Sequence, residues 1–527
     1  MDSGQTKTIT VLATSDLHGH LHPTDYRSQG ECDLGFGKLA ALIREERRHS
    51  PELLLLDNGD LIQGSPLSSF AIKNKTGVHP AIAALNELGY DAAVPGNHEF
   101  NYGFGMLRNV MRDSAFPWLS AGITAQRSGE PAFGRPYLIK MIDGVKVAVL
   151  GLTTHYIPNW ENPAHIQGLQ FHDALETAKA WVPRIRKEEA PDVLVVSYHG
   201  GFEADLQTGA PSEKPTGENQ AYAMCTEVAG IDVLVTGHQH RLLAGEVHGV
   251  TVVQSGCNGQ TMGKISIDLV LEQGRWVIRG KRAELLKPDR HVKPDAAVLG
   301  LSQELEERTQ AWLDEPIGHS EAGMTLASPL ACRIEEHPFI EFTNRVQMES
   351  AAVSVSCTAL LSEASKGFGE TITRRDVLTN FMYPNTLTVL RLTGRDIRAA
   401  LEQTACYFVM DAYGNPAVNP AYLEPKAQHY NYDMWEGIEY TLNIARPPGS
   451  RVTRLMYDGV ELSDETELDV VMNSYRAGGG GDYAMFWGKP IIREILRDTA
   501  ELVEEYITER GKIPAECNQN WIVVAEP

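Results

Sequence analysis

Ile9-Thr10-Val11-Leu12-Ala13-Thr14-Ser15-Asp16-Leu17-His18 sets the pattern that decides the fold: a short apolar, β-rich run that ends in side chains able to hold a metal. The theme recurs along the first half of the chain. Leu53–Leu56 runs into Asp57 and Asp60, Val193–Val196 into His199, and Val233–Val235 into His238 and His240. Val145–Leu150 and Val252–Val253 have the composition of further strands. Helix-like segments lie between them at Leu39–Arg48, Ala81–Leu88 and Ala174–Lys187, the last expected to be kinked or shortened by Pro183. Strands alternating with helices predict a layered α/β domain. Residues just past the strand ends gather along one edge of such a sheet, where ligands usually bind.

The individual clusters differ in weight. Asp16-Leu17-His18 places a carboxylate and an imidazole two apart, which in an extended segment turns both to one side. Alone, such a pair is more often plain surface polarity. Gly59 before Asp60 lets the backbone turn so that the carboxylate reaches inward, and an ordinary strand-to-loop turn explains that spacing equally well. Gly96-Asn97-His98-Glu99 is sharper, because an amide oxygen can ligate a hard cation while the neighbouring imidazole faces a substrate. Gly237-His238-Gln239-His240 again offers two imidazoles two apart, with a glycine giving room.

Together with His199 these clusters are hard to ascribe to chance. Carboxylate, imidazole and amide donors without a thiolate favour Mn²⁺, Zn²⁺, Fe or Co. Asp60 has two oxygens with which to bridge a pair of divalent ions, and ions about 4 Å apart clamp both the nucleophile and the phosphoryl oxygens of an ester. Glu99 fits a residue that orients a ligand, and Asp57 fits a turn residue. His20, His22, His155, His165 and His172 lack the strand-end setting and read as surface or core histidines.

At 527 residues the chain is too long for a single core. The sequence divides into 1–293, a charged helical linker 294–318 and a second, α+β domain 319–527. Pro294 and Pro316-Ile317-Gly318 bound the linker, with Pro316 and Gly318 as hinge-like residues. The net charge of −22 argues against a nucleic-acid polymer or an acidic membrane as partner. Seven widely spaced cysteines with no Cys-x-x-Cys pair read as buried structural thiols. With no basic region followed by an apolar stretch near Met1, the expectation is a cytoplasmic protein, or a secreted or cell-surface one if a signal segment has been removed.

The ordered set Asp16-x-His18, Gly59-Asp60, Gly96-Asn97-His98-Glu99, His199-Gly200-Gly201 and Gly237-His238-x-His240 resembles the calcineurin-like metallophosphoesterases. More narrowly, the chain is similar to the bacterial 5′-nucleotidase and 2′,3′-cyclic-nucleotide 2′-phosphodiesterase/3′-nucleotidase family. The resemblance implies a β-sandwich core flanked by helices, joined to a substrate-binding domain. It implies one metal on Asp16, His18, Asp60 and His240, and a second on Asp60, Asn97, His199 and His238. His98 falls where the family has a transition-state-stabilising histidine, and a hydroxide generated on the metals is expected to attack phosphorus. Asn101 departs from the 5′-nucleotidase pattern, which commonly has an aspartate there; the cyclic-phosphodiesterase branch often has Asn.

In the second domain the resemblance implies a nucleobase held between Tyr475 and an aromatic of Tyr430-Asn431-Tyr432-Asp433, either Tyr430 or Tyr432. Stacking of that kind binds any base. Tyr475 precedes four glycines and Asp482, which joins the candidate substrate residues. Ser354-Val355-Ser356-Cys357-Thr358 stands where 5′-nucleotidases carry a glycine-rich segment with a substrate arginine. That segment, with Tyr383-Pro384-Asn385-Thr386-Leu387, is closer to the cyclic-phosphodiesterase branch. The expected activity is metal-dependent hydrolysis of nucleotide phosphoesters. The competing readings are a UDP-sugar or sulfur-ester hydrolase on the same metals and a non-catalytic nucleotide-binding module.

Overall fold

Successive residues of Val193–His199 face opposite ways, and that alternation builds the first half of the molecule. Val193 and Val195 join one apolar cluster with Ile9, Val11, Leu54, Leu56 and Ile265. Leu194 and Val196 join another with Ala178, Val182 and Ile185. A strand buried on both faces needs a second sheet on one side and helices on the other. The computed structural model of the chain has that arrangement. It describes residues 5–159, 161–213, 216–363, 365–382, 385–411, 413–423 and 427–526. The chain forms two units, Met1–Gln310 and Ala311–Pro527.

In the first unit the strands that matter are β1 (Thr6–Thr14), β2 (Leu54–Asp57), β3 (Ala92–Ala93), β4 (Tyr137–Ile142), β5 (Val145–Thr153), β6 (Val193–His199), β7 (Val233–Thr236), β8 (Leu242–Val247), β9 (Val250–Ser255), β10 (Met262–Glu272) and β11 (Arg275–Leu286). One sheet has the order β11-β10-β1-β2-β3 and the other β8-β9-β7-β6-β5-β4. The inner strands β1 and β2 run parallel, as do β5, β6, β7 and β9. Parallel strands deliver their C-terminal ends to the same edge. Each buried valine or leucine between the sheets contributes roughly 1.5–3 kcal/mol, which fixes those ends in place.

The helix at Ala174–Glu188 runs through Pro183 without being shortened. Pro183 sits on its exposed side, while Ala178, Val182 and Ile185 hold the buried side. The segment expected to be a helical linker contains helices Ala296–Gly300 and Gln303–Leu313. Pro316 and Gly318 are not in a hinge loop: Pro316–Ser320 is a strand paired with Thr371–Thr373 on one side and Lys512–Ile513 on the other.

The second unit carries a five-stranded sheet ordered Asp433–Glu436, Val355–Ala359, Glu467–Asn473, Leu387–Thr393, Ile491–Ile495. Its core includes Val355, Leu390, Leu401, Tyr432 and Val470. Tyr383 and Pro384 lie outside the described residues, and Leu387 opens the fourth strand of the sheet. No disulfide links the seven cysteines. Cys225, Cys332 and Cys357 are buried, whereas Cys32, Cys257, Cys406 and Cys517 are only partly so, because they lie in loops or at helix ends. No helix of the described residues is long and apolar enough to cross a membrane.

Candidate metal centre

The loops that follow β1, β2, β6 and β7 meet at the shared sheet edge. Asp16 N–H donates to the Gly59 carbonyl and His18 N–H to the Asp60 carbonyl, each at 2.8 Å, so the first two loops are stitched together. Asp16 and His18 do not lie in an extended segment as the spacing suggested. Their φ angles are 52° and 48°, and Asp60, His238 and His240 are likewise left-handed at 54°, 70° and 56°. Non-glycine residues rarely adopt this region, and when they do the surrounding structure holds them there, commonly at functional sites. Gly59 has φ 92°, and a Cβ there would meet the Gly96 amide nitrogen at 2.4 Å. A Cβ on Gly237 would come within 2.6 Å of an Asp16 carboxylate oxygen.

Two donor groups result, sharing Asp60. Ligand atoms of Asp16, His18, Asp60 and His240 lie within 4.8 Å of one another, as do those of Asp60, His199 and His238. The Asn97 amide oxygen joins the second group, 2.8 Å from His238 Nδ1 and 3.2 Å from His199 Nε2. Asp16 and Asp60 are fully buried.

The hydrogen-bond partners show which ring nitrogens face the centre. His18 Nδ1–H donates to the Gln63 carbonyl at 2.9 Å, and His199 Nδ1–H donates to the Asn58 carbonyl at 2.6 Å. His238 Nε2–H donates to Glu218 at 2.8 Å. The opposite nitrogen, which in a neutral ring is a lone pair able to ligate, points inward in all three. His18 Nε2 faces His240 Nε2 at 3.0 Å. His199 Nε2 faces an Asp60 oxygen at 3.3 Å. Ring nitrogens and carboxylate oxygens converging in a buried place is the donor chemistry of a cation site, and the residues fit two divalent ions.

The electrostatics divide the rings. Burial depresses the His18 imidazole to about 4, which keeps it neutral. Burial works the same way on His199, but the Asp60 carboxylate outweighs it and pushes that ring up to about 10. The anionic centre draws positive charge.

Around the donors, Glu99 is buried and its carboxylate accepts the backbone amides of Asp60 at 2.8 Å, Leu61 at 2.7 Å and Ile62 at 3.3 Å, holding the loop that carries Asp60. Asp57 is buried too, accepting from Thr14 Oγ1 at 2.8 Å and the Gly59 amide at 3.1 Å, and burial pushes its carboxyl up to about 8. His98 Nε2 lies 4.0 Å from an Asp60 oxygen, and its backbone amide donates to the other one at 2.8 Å. Among the described residues, His20, His22, His155, His165 and His172 belong to no such donor group. Glu218 and Glu161, which contact His238 and Asn101, escaped the sequence reasoning. Both sit in loops with no apolar run before them to announce an inward-facing carboxylate.

In the second unit, Tyr475 is 45% exposed and its ring centroid lies 6.3 Å from that of half-buried Tyr430, at an interplanar angle of 70°. Tyr432 is removed from the candidates. It is fully buried, its hydroxyl donates to the Arg333 carbonyl at 2.7 Å, and its ring packs 4.9 Å from that of Tyr407. Tyr432 directly precedes the central-sheet strand Asp433–Glu436, whereas Tyr430 lies in a 3₁₀ turn, His429–Asn431, that leaves it at the surface. The segments carrying Tyr430 and Tyr475 are joined by a buried ion pair, Arg476 Nε to Asp433 Oδ2 at 2.6 Å. Asp482 is exposed, with φ 67°.

The chain matches the calcineurin-like phosphoesterase family over residues 9–242 and the 5′-nucleotidase C-terminal domain family over 316–488. A Staphylococcus aureus chain assigned as a 5′-nucleotidase, solved with alpha-ketoglutarate, is 33% identical, with a TM-score of 0.80 over 98% of this chain and 100% of that one. The trifunctional nucleotide phosphoesterase protein of Bacillus subtilis is 27% identical over 98% of this chain, which spans 39% of that protein's length. A 2′,3′-cyclic-nucleotide 2′-phosphodiesterase/3′-nucleotidase of Haemophilus influenzae is 27% identical over 97% of this chain and 87% of its own length.

Proposed function

Because the chain belongs to the calcineurin-like phosphoesterases that carry a 5′-nucleotidase C-terminal domain, we propose that it is a metal-dependent hydrolase of nucleotide phosphoesters, with 2′,3′-cyclic and 3′-nucleotides as its preferred substrates. The observation that carries the reading is the pair of metal-competent donor groups that share Asp60. The cyclic and 3′ preference draws support from Asn101, from the absence of the substrate arginine in Ser354–Thr358, and from similarity to the Haemophilus enzyme over most of that protein's length.

Asp16, His18, Asp60 and His240 would hold one divalent ion, and Asp60, Asn97, His199 and His238 the other. Mn²⁺, Zn²⁺, Fe or Co suits this set of N and O donors. Such ions lower the pKa of water to near neutrality and neutralise phosphoryl charge. The protein's own part is positional. Glu99 fixes the Asp60 loop, so the carboxylate cannot swing away when charge develops. His98, beside Asp60, donates to a phosphoryl oxygen as its negative charge grows. Tyr475 and Tyr430 hold the nucleobase, with Tyr430 turning to open the edge-to-face pair. Seven cysteines without a disulfide suit a reducing compartment, so the reading places the enzyme in the cytoplasm.

The test is phosphate release by metal-stripped protein given Mn²⁺, Zn²⁺, Co²⁺ or Fe²⁺, on 5′-AMP, 3′-AMP, 2′,3′-cyclic AMP and UDP-glucose, with a coupled nucleotidase for the cyclic ester. Highest kcat/KM on the cyclic and 3′ substrates is expected. Turnover of UDP-glucose alone, or full activity without metal, would overturn the reading.

A further inference from the structure

His98 does not stand alone at the centre. Its Nδ1 lies 2.6 Å from the Asn101 amide oxygen, and the Asn101 amide nitrogen donates to Glu161 Oε2 at 2.7 Å. Glu161 is only 8% exposed, and its second oxygen accepts from the Asn162 backbone amide at 2.7 Å and lies 2.8 Å from His165 Nδ1. Glu161 comes from a different loop, 60 residues along the chain from Asn101, two residues past the short turn Ile157–Asn159.

We propose that Glu161 is a positioning residue for phosphoester hydrolysis, acting on His98 through the amide of Asn101. The inference rests on the reading of His98 as the donor to a phosphoryl oxygen. An asparagine has a donor end and an acceptor end, and nothing in the residue itself decides which faces the imidazole. An ionised carboxylate only accepts, so Glu161 takes the NH₂ end and turns the oxygen to His98. With that oxygen at Nδ1, the nitrogen keeps its hydrogen, and it is the imidazolium form of the ring, carrying a second hydrogen on Nε2, that donates to substrate. The ring is also pinned, since Asn101 is bonded at both ends and Glu161 at both oxygens. A carboxylate at position 101 would face Glu161 across a hydrogen-bond distance and be repelled.

Glu161→Ala, Asn101→Asp, Asn101→Asp/Glu161→Gln, His98→Ala and His98→Ala/Glu161→Ala are assayed on a nucleotide substrate and on bis-p-nitrophenyl phosphate, with bound metal and melting temperature measured for each. Glu161→Ala is expected to lower kcat by roughly 10–100-fold, the usual scale for an outer partner, with KM within about twofold and metal content unchanged. In the His98→Ala background the same change is expected to cost nothing further, because a residue acting only through His98 has nothing left to act on. Asn101→Asp is expected to be impaired, and the added Glu161→Gln to restore it by reversing the polarity of the bond. Unchanged kcat in Glu161→Ala, an equal fall with and without His98, a silent His98→Ala, or a loss that tracks bound metal would each overturn the proposal. If wild type turns over the artificial diester and no nucleotide, the substrate reading falls, and the same cycle on the diester still decides the role of Glu161. The Asn101→Asp/Glu161→Gln rescue decides the case should Glu161→Ala not fold.

Discussion

Glu218 Oε1 lies 2.8 Å from Nε2 of His238, on the opposite side of the ring from Nδ1, which faces the Asn97 amide oxygen. A carboxylate behind a ligating imidazole fixes its tautomer and raises its basicity. The Glu218 carbonyl accepts from Thr154 Oγ1 at 2.7 Å and from the Tyr198 hydroxyl at 3.2 Å, so the side chain leaves from an anchored backbone. Glu218→Ala is expected to weaken one of two metal equivalents by about 10–100-fold. Titrating metal back into stripped protein would show this as a second, weaker phase. Two unchanged equivalents would remove Glu218 from the centre.

Asp60 belongs to both donor groups, whereas His240 belongs to one. Asp60→Asn is therefore expected to lower the content of both ions and abolish hydrolysis. His240→Ala is expected to abolish hydrolysis with loss of one. Elemental analysis separates the two outcomes, and full metal content with normal turnover in either variant would refute the shared-carboxylate arrangement.

His98 contacts the centre without joining a donor group. Its replacement by alanine should leave two bound metals and lower kcat by about 10²–10³-fold, the usual effect of losing one transition-state donor. A variant that loses metal in proportion to activity would instead make His98 a ligand.

Tyr475 is exposed where Tyr432 is buried, and the two make opposite predictions. Tyr475→Ala should remove about 1–3 kcal/mol of base stacking and raise KM for nucleotides, leaving p-nitrophenyl phosphate turnover within about threefold of wild type. Tyr432→Phe deletes a buried hydroxyl bonded to the Arg333 carbonyl, and should cost about 1 kcal/mol of stability with no change in nucleotide KM. A selective nucleotide defect in Tyr432→Phe would reverse the assignment.

The Asp433–Arg476 pair is 1% exposed on both sides. Taking away one partner strands the other charge in the core, at a cost of about 3–5 kcal/mol. For a unit of this size, Asp433→Ala should lower its melting temperature by roughly 6–20 °C. An unchanged transition would show that water reaches Arg476.

The metal-competent clusters were legible because each follows an apolar strand, and parallel strands must end together. His18 and His199 could be picked out by that rule alone. The carboxylates that hold the imidazoles could not. Glu161 and Glu218 sit in loops whose course is set by distant hydrogen bonds, so local periodicity carries no trace of where their side chains point. The left-handed backbone at Asp16, His18 and Asp60 was equally hidden, since Asp and His have only a mild preference for it and the crossed hydrogen bonds to Gly59 and Asp60 impose it. Tyr430 and Tyr432 were indistinguishable because the 3₁₀ turn interrupts the alternation that would have assigned them to faces. Pro183 did not shorten its helix, because it lies on the exposed face and leaves the buried face of Ala178, Val182 and Ile185 intact.

The His238 amide donates to the Asp16 carboxylate across 222 residues of chain. At a synthesis rate of about 5–20 residues per second, Asp16 leaves the ribosome roughly 10–45 s before its partner does. Until then the first strands carry two inward-facing carboxylates and an imidazole under a second sheet that is still incomplete. Metal loading therefore belongs to the end of biogenesis, and an ion captured earlier would be held by an incomplete set of donors, open to exchange until β6 and β7 arrive.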